Sequence, residues 1–125
     1  MGSPPEDEGL GEERAYLRPG LQRQVLRRLR RGHWAVEDTL DLHGMNRVEA
    51  ASSVAEFLRE CLSRGRRCVC IVHGKGLGSP NREPVLKGML RGWLVARDEV
   101  LAFTQAPAAQ GGGGALVVLL KSRFG

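Results

Sequence analysis

Two short apolar runs in this chain end in the same pair of residues, His-Gly, and that constrains the fold more than any other feature. The first is Leu40-Asp41-Leu42-His43-Gly44; the second, residues 67–73, runs into His73-Gly74-Lys75-Gly76. Side chains alternate along a strand, so Leu40 and Leu42 point to one face while Asp41 and His43 share the other. Between the runs, Ala51, Val54, Ala55, Leu58, Cys61 and Leu62 recur at helical spacing. Asn46 and Glu49 have the spacing of a capping box for that helix, and Gly65 stands where it should stop. A strand, a helix and a strand in one sheet close as a right-handed crossover with the strands parallel. Both His-Gly turns then fall at the carboxyl edge of the sheet, where open α/β sheets bind ligands.

The remaining pattern extends this unit. Pro84 suits a helix first turn, and Leu86, Met89, Leu90, Trp93 and Leu94 carry the helical period to about Arg97. Val100 to Phe103 and Ala115 to Leu120 read as strands, separated by a loop that closes in Gly111 to Gly114. The order is β-α-β-α-β-β, an α/β fold with a mixed sheet. Its first three strands are parallel, and its last pair, joined by a loop, is open to antiparallel pairing. Ahead of it, Leu21, Val25, Leu26 and Leu29 fall on one side of a predicted helix, with Arg23, Arg27, Arg30 and Arg31 around the other, ending near Gly32. The chain thus divides into an acidic leader at 1–13, expected to be disordered, a basic amphipathic helical extension at 14–34, and one domain at 35–125.

Charge follows the same division. Residues 1–13 hold Glu6, Asp7, Glu8, Glu12 and Glu13 and no Lys or Arg. All nineteen bases therefore face the remaining nine acids, and residues 14–125 carry a formal +10 against +5 for the whole chain. A folded part this basic favours a polyanionic partner, nucleic acid above all. Because the bases of the extension are arginines, phosphate contact is the expected role of Arg27, Arg30 and Arg31. Cys61, Cys68 and Cys70 sit within apolar segments without paired metal-ligand spacing, which predicts reduced core thiols in a cytoplasmic protein and no metal site. The chain lacks the basic-then-apolar pattern of a signal peptide and any apolar run long enough to cross a membrane.

At the strand ends, Asp41 and His43 form an acid/base pair, or a carboxylate that orients an imidazole; Asp41 as a plain turn-capping acid is the simpler alternative. Gly44, Gly74 and Gly76 allow backbone N–H groups close to an anion, and Lys75 and Arg82 add full charges. A phosphodiester fits such a loop, which lacks the spacing of a Walker A motif. His73 is either the partner acid or a residue that closes its strand.

With Leu-Asp-Leu-His-Gly at 40–44, His-Gly-Lys-Gly at 73–76 and Gly-Gly-Ala-Leu-Val-Val-Leu-Leu-Lys at 113–121, the chain resembles the Smr (small MutS-related) domain across residues 39–121. Tyr16 to Gly20 and the arginine-rich helix resemble the extension of stand-alone bacterial Smr proteins. The resemblance implies a two-layer α/β sandwich similar to the C-terminal domain of translation initiation factor 3. It also implies a nucleic-acid endonuclease with its active site at Asp41 and His43 and nucleic-acid contacts at Gly74 and Gly76. Some relatives nick DNA and others cut messenger RNA at stalled or collided ribosomes; the stand-alone form favours RNA, with the ribosome as partner. Acid/base cleavage of RNA needs no cofactor, whereas the DNA-nicking alternative brings in a divalent cation such as magnesium. A non-catalytic module that docks on RNA or ribosomes is the third reading. The sequence does not give the oligomeric state.

Overall fold

The computed structural model describes residues 15–74 and 82–122, with side chains from residue 85 onward in the second stretch. The acidic leader, Lys75, Gly76 and the Arg82 side chain, and the roles expected of them, lie outside the described residues. In chain order the elements are β1 (Tyr16–Leu17), α1 (Arg23–Arg30), β2 (Thr39–Asp41), α2 (Arg47–Ser63), β3 (Cys68–Val72), α3 (Arg82–Val95), β4 (Val100–Gln105) and β5 (Ala115–Leu120). The strands form one sheet in the order β1-β4-β5-β3-β2. β2 lies parallel to β3, while β5 runs antiparallel to both β3 and β4. So β2, β3 and β4 share one direction, as two crossovers require, and β5 enters between the last two of them.

The composition of β5 explains its central place. All six of its residues are buried, and they divide between the two faces. Leu116, Val118 and Leu120 join Val69, Ile71 and Phe103 under α2 and α3, whose Val54, Leu58, Leu90 and Leu94 complete that core. Ala115, Val117 and Leu119 join Cys68, Cys70 and Ala102 under α1 on the opposite face, where Leu29 is buried and Val25 and Leu26 pack beside it. A strand apolar on both faces stabilises the molecule only when both are covered. The α/β sandwich is therefore closed on its second face by the N-terminal helix.

The N-terminal segment departs from a purely helical reading. Tyr16 and Leu17 pair with Phe103 and Ala102 as an edge strand before α1 begins, and the Tyr16 ring stacks on Phe103 at 5.3 Å. A strand of two residues is too short to display a period of two. The helix ends as expected: Gly32 has φ 80° and donates to Leu29 O, while His33 N donates to Arg28 O. That paired arrangement satisfies the last carbonyls of the helix. At the start of α2, the Asn46 side chain accepts from Glu49 N and the Glu49 carboxylate accepts from Asn46 N, the reciprocal cap that the spacing predicts.

The three cysteines are free thiols inside the core. Burial, followed by the nearby Asp38 carboxylate, pushes the Cys61 thiol up to about 11. Burial, with Glu37 next, does the same for Cys68. A folded-state value above the unfolded one stabilises the fold below about 9, and that contribution disappears as pH rises through about 11. Urea midpoints should therefore hold from pH 7 to 8.5 and fall by pH 11, by roughly 2 kcal/mol per thiol. The same series on the Cys61→Ala, Cys68→Ala double variant should lose most of that fall. Among the described residues, no helix is long and apolar enough to cross a membrane.

Candidate active site

The carboxyl ends of β2 and β3 lie side by side. Asp41 is in register with Val72, and Leu42 N donates to Val72 O at 2.8 Å, so ladder bonding continues past the last residue of β2. β4 and β5 reach the same edge, where Gln105 pairs with Leu116 and Val72 pairs with Ala115.

The chain leaves β2 in a tight turn. Met45 N donates to Leu42 O at 3.0 Å across His43 and Gly44, and Gly44 has φ 80°. A turn with positive φ at its third residue favours glycine there and puts the second residue, His43, on its outer corner. Leu42 is fully buried and anchors the turn in the core, whereas Asp41, His43 and Gly44 are exposed. The alternation that predicts Asp41 and His43 outside and Leu40 and Leu42 inside describes this strand well. His43 N donates to the Asp41 carboxylate at 2.8 Å. Asp41 thus holds the backbone of the turn that carries His43.

The second His-Gly pair occupies a different setting. His73 is only 4% exposed, and its Nδ1 donates to the Gly74 carbonyl at 2.9 Å. A carbonyl can only accept, so the hydrogen sits on Nδ1. The expectation that His73 meets a substrate as partner acid requires a surface position that this burial does not provide. Gly74 N and His73 N both donate to Gly114 O, at 2.9 and 2.8 Å. The Gly74 N–H is therefore already engaged and is not an open donor for an anion, contrary to the cradle expected of it. Gly74 contributes its φ of 91°, which turns the chain out of β3.

The bond to Gly114 O gives the four-glycine run a structural purpose. Gly111 has φ 115°, and a Cβ there would meet the Ala115 Cβ at 2.8 Å. Glycine is required to fold the segment tightly enough for Gly114 O to reach both amides of the neighbouring loop. The sequence pattern marks the run as a close approach but does not identify Gly114 O as the acceptor. Arg47, exposed as the first residue of α2 four positions after His43, is a further cation beside the turn that the motifs do not single out.

Arg27, Arg30 and Arg31 are exposed on α1 or at its end, on the sheet face opposite α2 and α3. The His43 turn and the arginine helix are thus separate surfaces of one body. Among the described residues, no group of three His, Cys, Asp or Glu side chains is arranged to hold a metal ion.

The Smr domain family model matches residues 40–121, from the strand before the His43 turn to the end of β5. A "Ribosome rescue factor SmrB" of Photobacterium profundum is 37% identical over 105 residues, which are 84% of this chain and 56% of that protein. The protein of the same name from Shewanella baltica is 39% identical over the same shares. The chain thus spans little more than half the length of these curated relatives. Among solved structures, the stand-alone small MutS-related protein YdaL of Escherichia coli superimposes with a TM-score of 0.73 at 32% identity, covering 86% of this chain and 82% of that one. The Smr domain of Thermus thermophilus MutS2 gives 0.59 at 32% identity, covering 68% and 99%.

Proposed function

The chain belongs to the Smr domain family, and from that premise we propose that it is an endonuclease that cleaves RNA by acid/base catalysis at His43. The observation that carries the reading is the His43 turn itself: an exposed imidazole on the outer corner, anchored below by buried Leu42 and behind by the Asp41 carboxylate. A phosphodiester laid along this edge puts its 2′-hydroxyl or its 5′-oxygen within reach of the ring. His43 takes the proton of the attacking 2′-hydroxyl or gives one to the leaving 5′-oxygen. Lys75 and Arg82 are the cations, and Gly76 N–H the backbone donor, proposed to offset charge on the phosphorane. His73 acts from inside, holding the exit of β3 through its bond to Gly74 O. Arg27, Arg30 and Arg31 contact phosphates away from the cut and set affinity rather than sequence. The relatives' description as ribosome rescue factors supports messenger RNA at ribosomes as the substrate, and with it a cytoplasmic location.

Asp41 separates two versions of the chemistry. If it acts by holding the turn, Asp41→Asn keeps an acceptor for His43 N and retains cleavage within about tenfold, while Asp41→Ala loses roughly a hundredfold. If its charge is what matters, both variants fall together. RNA cleavage itself is tested by incubating the protein with matched labelled RNA and all-deoxy strands, with and without a magnesium chelator. Cleavage confined to RNA and indifferent to chelator is expected. Equal cutting of DNA, abolished by chelator, would replace this reading with a metal-dependent nickase.

A further inference from the structure

We propose that Arg47 is a catalytic residue of the RNA cleavage proposed at His43, an inference that rests on that reading: its guanidinium grips the non-bridging oxygens of the phosphate being cut. Attack by the 2′-hydroxyl forms the bond from the 2′-oxygen to phosphorus and breaks the bond to the 5′-oxygen. One proton leaves the first oxygen and one arrives on the second. An imidazole serves those transfers and leaves uncompensated the charge that gathers on the non-bridging oxygens. The Gly74 amide does not compensate it, because Gly114 O already takes its hydrogen at 2.9 Å.

Arg47 belongs to the same rigid piece of chain as His43. Met45 N donates to Leu42 O across the turn, Asn46 and Glu49 cap each other, and Ala50 N donates to Asn46 O. Buried Leu42 at one end and buried Ala50 and Val54 at the other fasten this piece to the core. Even fully extended, two residues span only about 7 Å, so His43 and Arg47 each lie within that distance of Met45. A helical side chain leans toward the helix N-terminus, and for the first residue of α2 that direction is the turn. The charge of Arg47 is available there. The carboxylates nearest to it in sequence, Asp41 and Glu49, accept from His43 N and Asn46 N. Among the described residues Arg47 has no ion-pair partner.

Place, and not exposure alone, singles out Arg47. Lys121 is also exposed, but there Lys121 N donates to Glu99 O and Leu120 N to Arg67 O, at the amino ends of β4 and β3. Lys121 therefore stands at the edge of the sheet opposite His43. Arg59 and Arg64, further along α2, are paired with Glu56 and Glu60. An arginine also suits the task chemically. Its planar fork matches two phosphate oxygens, and it keeps its charge throughout, so it holds the phosphate and exchanges no proton.

The test is single-turnover cleavage at saturating protein by the parent, Arg47→Ala, Arg47→Lys, Lys121→Ala and His43→Ala. The substrates are a labelled RNA and the same RNA with sulfur in place of either non-bridging oxygen at the cut. Arg47→Ala should lower the rate about ten- to a hundredfold, the worth of a hydrogen bond to a charged group. Its RNA affinity should stay within about threefold and its melting temperature should not change. Arg47→Lys, which keeps the charge and loses the fork, should fall between the two, and Lys121→Ala should match the parent. The sulfur that slows the parent should slow Arg47→Ala no further, since the guanidinium it disturbs is gone. An Arg47→Ala rate within about threefold of the parent overturns the proposal, as does an equal loss in Lys121→Ala. So does a parent indifferent to both sulfurs, a sulfur effect that Arg47→Ala retains in full, or a rate lost together with the melting temperature. If the parent leaves RNA uncut, or His43→Ala cuts as well as the parent, the RNA-cleaving reading itself falls; that failure is distinguishable because it shows in proteins that keep Arg47.

Discussion

If the proposed chemistry holds, His43→Ala should lower the single-turnover rate of RNA cleavage by roughly 10²–10⁴-fold, the span that a positioned general acid or base supplies. It does so without a measurable loss of stability. The side chain is exposed and sits at the second position of its turn, and the turn is held by Leu42, Gly44 and the Asp41 bond to a backbone N–H that alanine retains. RNA affinity should stay within about twofold, because phosphate contacts elsewhere supply most of the binding. The check is a quenched-flow rate on labelled RNA, with the melting temperature and an anisotropy titration measured on the same preparation. A rate within threefold of the parent would place the chemistry elsewhere. A collapse of the melting temperature would make His43 a structural residue instead.

Phe103→Ala is expected to have the largest effect on stability, about 3–5 kcal/mol. Phe103 is fully buried in β4, its ring stacks on Tyr16 of β1, and the Arg91 guanidinium of α3 lies 5.4 Å from its centroid. Removing the ring opens a cavity that three elements line together. It also releases the stacking that ties the two-residue edge strand to the sheet. Since a domain of this size holds about 5–15 kcal/mol in all, the loss is between about a fifth of that stability and all of it, and the urea midpoint should fall accordingly. Urea unfolding followed by tryptophan fluorescence reads this directly. Tyr16→Leu keeps an apolar contact and should cost about 1 kcal/mol, the part due to ring stacking. A Phe103→Ala cost below 1 kcal/mol would mean that the packing around β4 relaxes to fill the space.

The parts of the fold that were legible in the sequence are those with long repeats or strong local chemistry. The Asn46–Glu49 cap, the stop at Gly65, the apolar run of β5 and the Leu40/Leu42 alternation all have local causes. β1 was not legible, because its two residues are defined by their partner Phe103, 87 positions later in the chain. The insertion of β5 between β3 and β4 belongs to the same class. A loop between consecutive strands permits antiparallel pairing, but only the burial of both β5 faces dictates which neighbours it takes.

The site divides in the same way. The exposed His43 and the Asp41 behind it follow from alternation and a glycine turn. The two His-Gly pairs, alike in sequence, differ because of a distant segment: the Gly114 carbonyl takes up the His73 and Gly74 amides, and the His73 ring lies buried. Nothing within residues 73–76 encodes that difference. It comes from the glycine run at 111–114, which only the closed sheet brings alongside.

The measurement that bears most directly on metal-free cleavage at His43 is the identity of the ends left on a cut RNA in the presence of chelator. Attack by the 2′-hydroxyl leaves a 2′,3′-cyclic phosphate on the upstream fragment and a 5′-hydroxyl on the downstream one, and His43→Ala should form neither. A 3′-hydroxyl with a 5′-phosphate would show that water, not the neighbouring 2′-hydroxyl, attacks the phosphorus, and would contradict that chemistry.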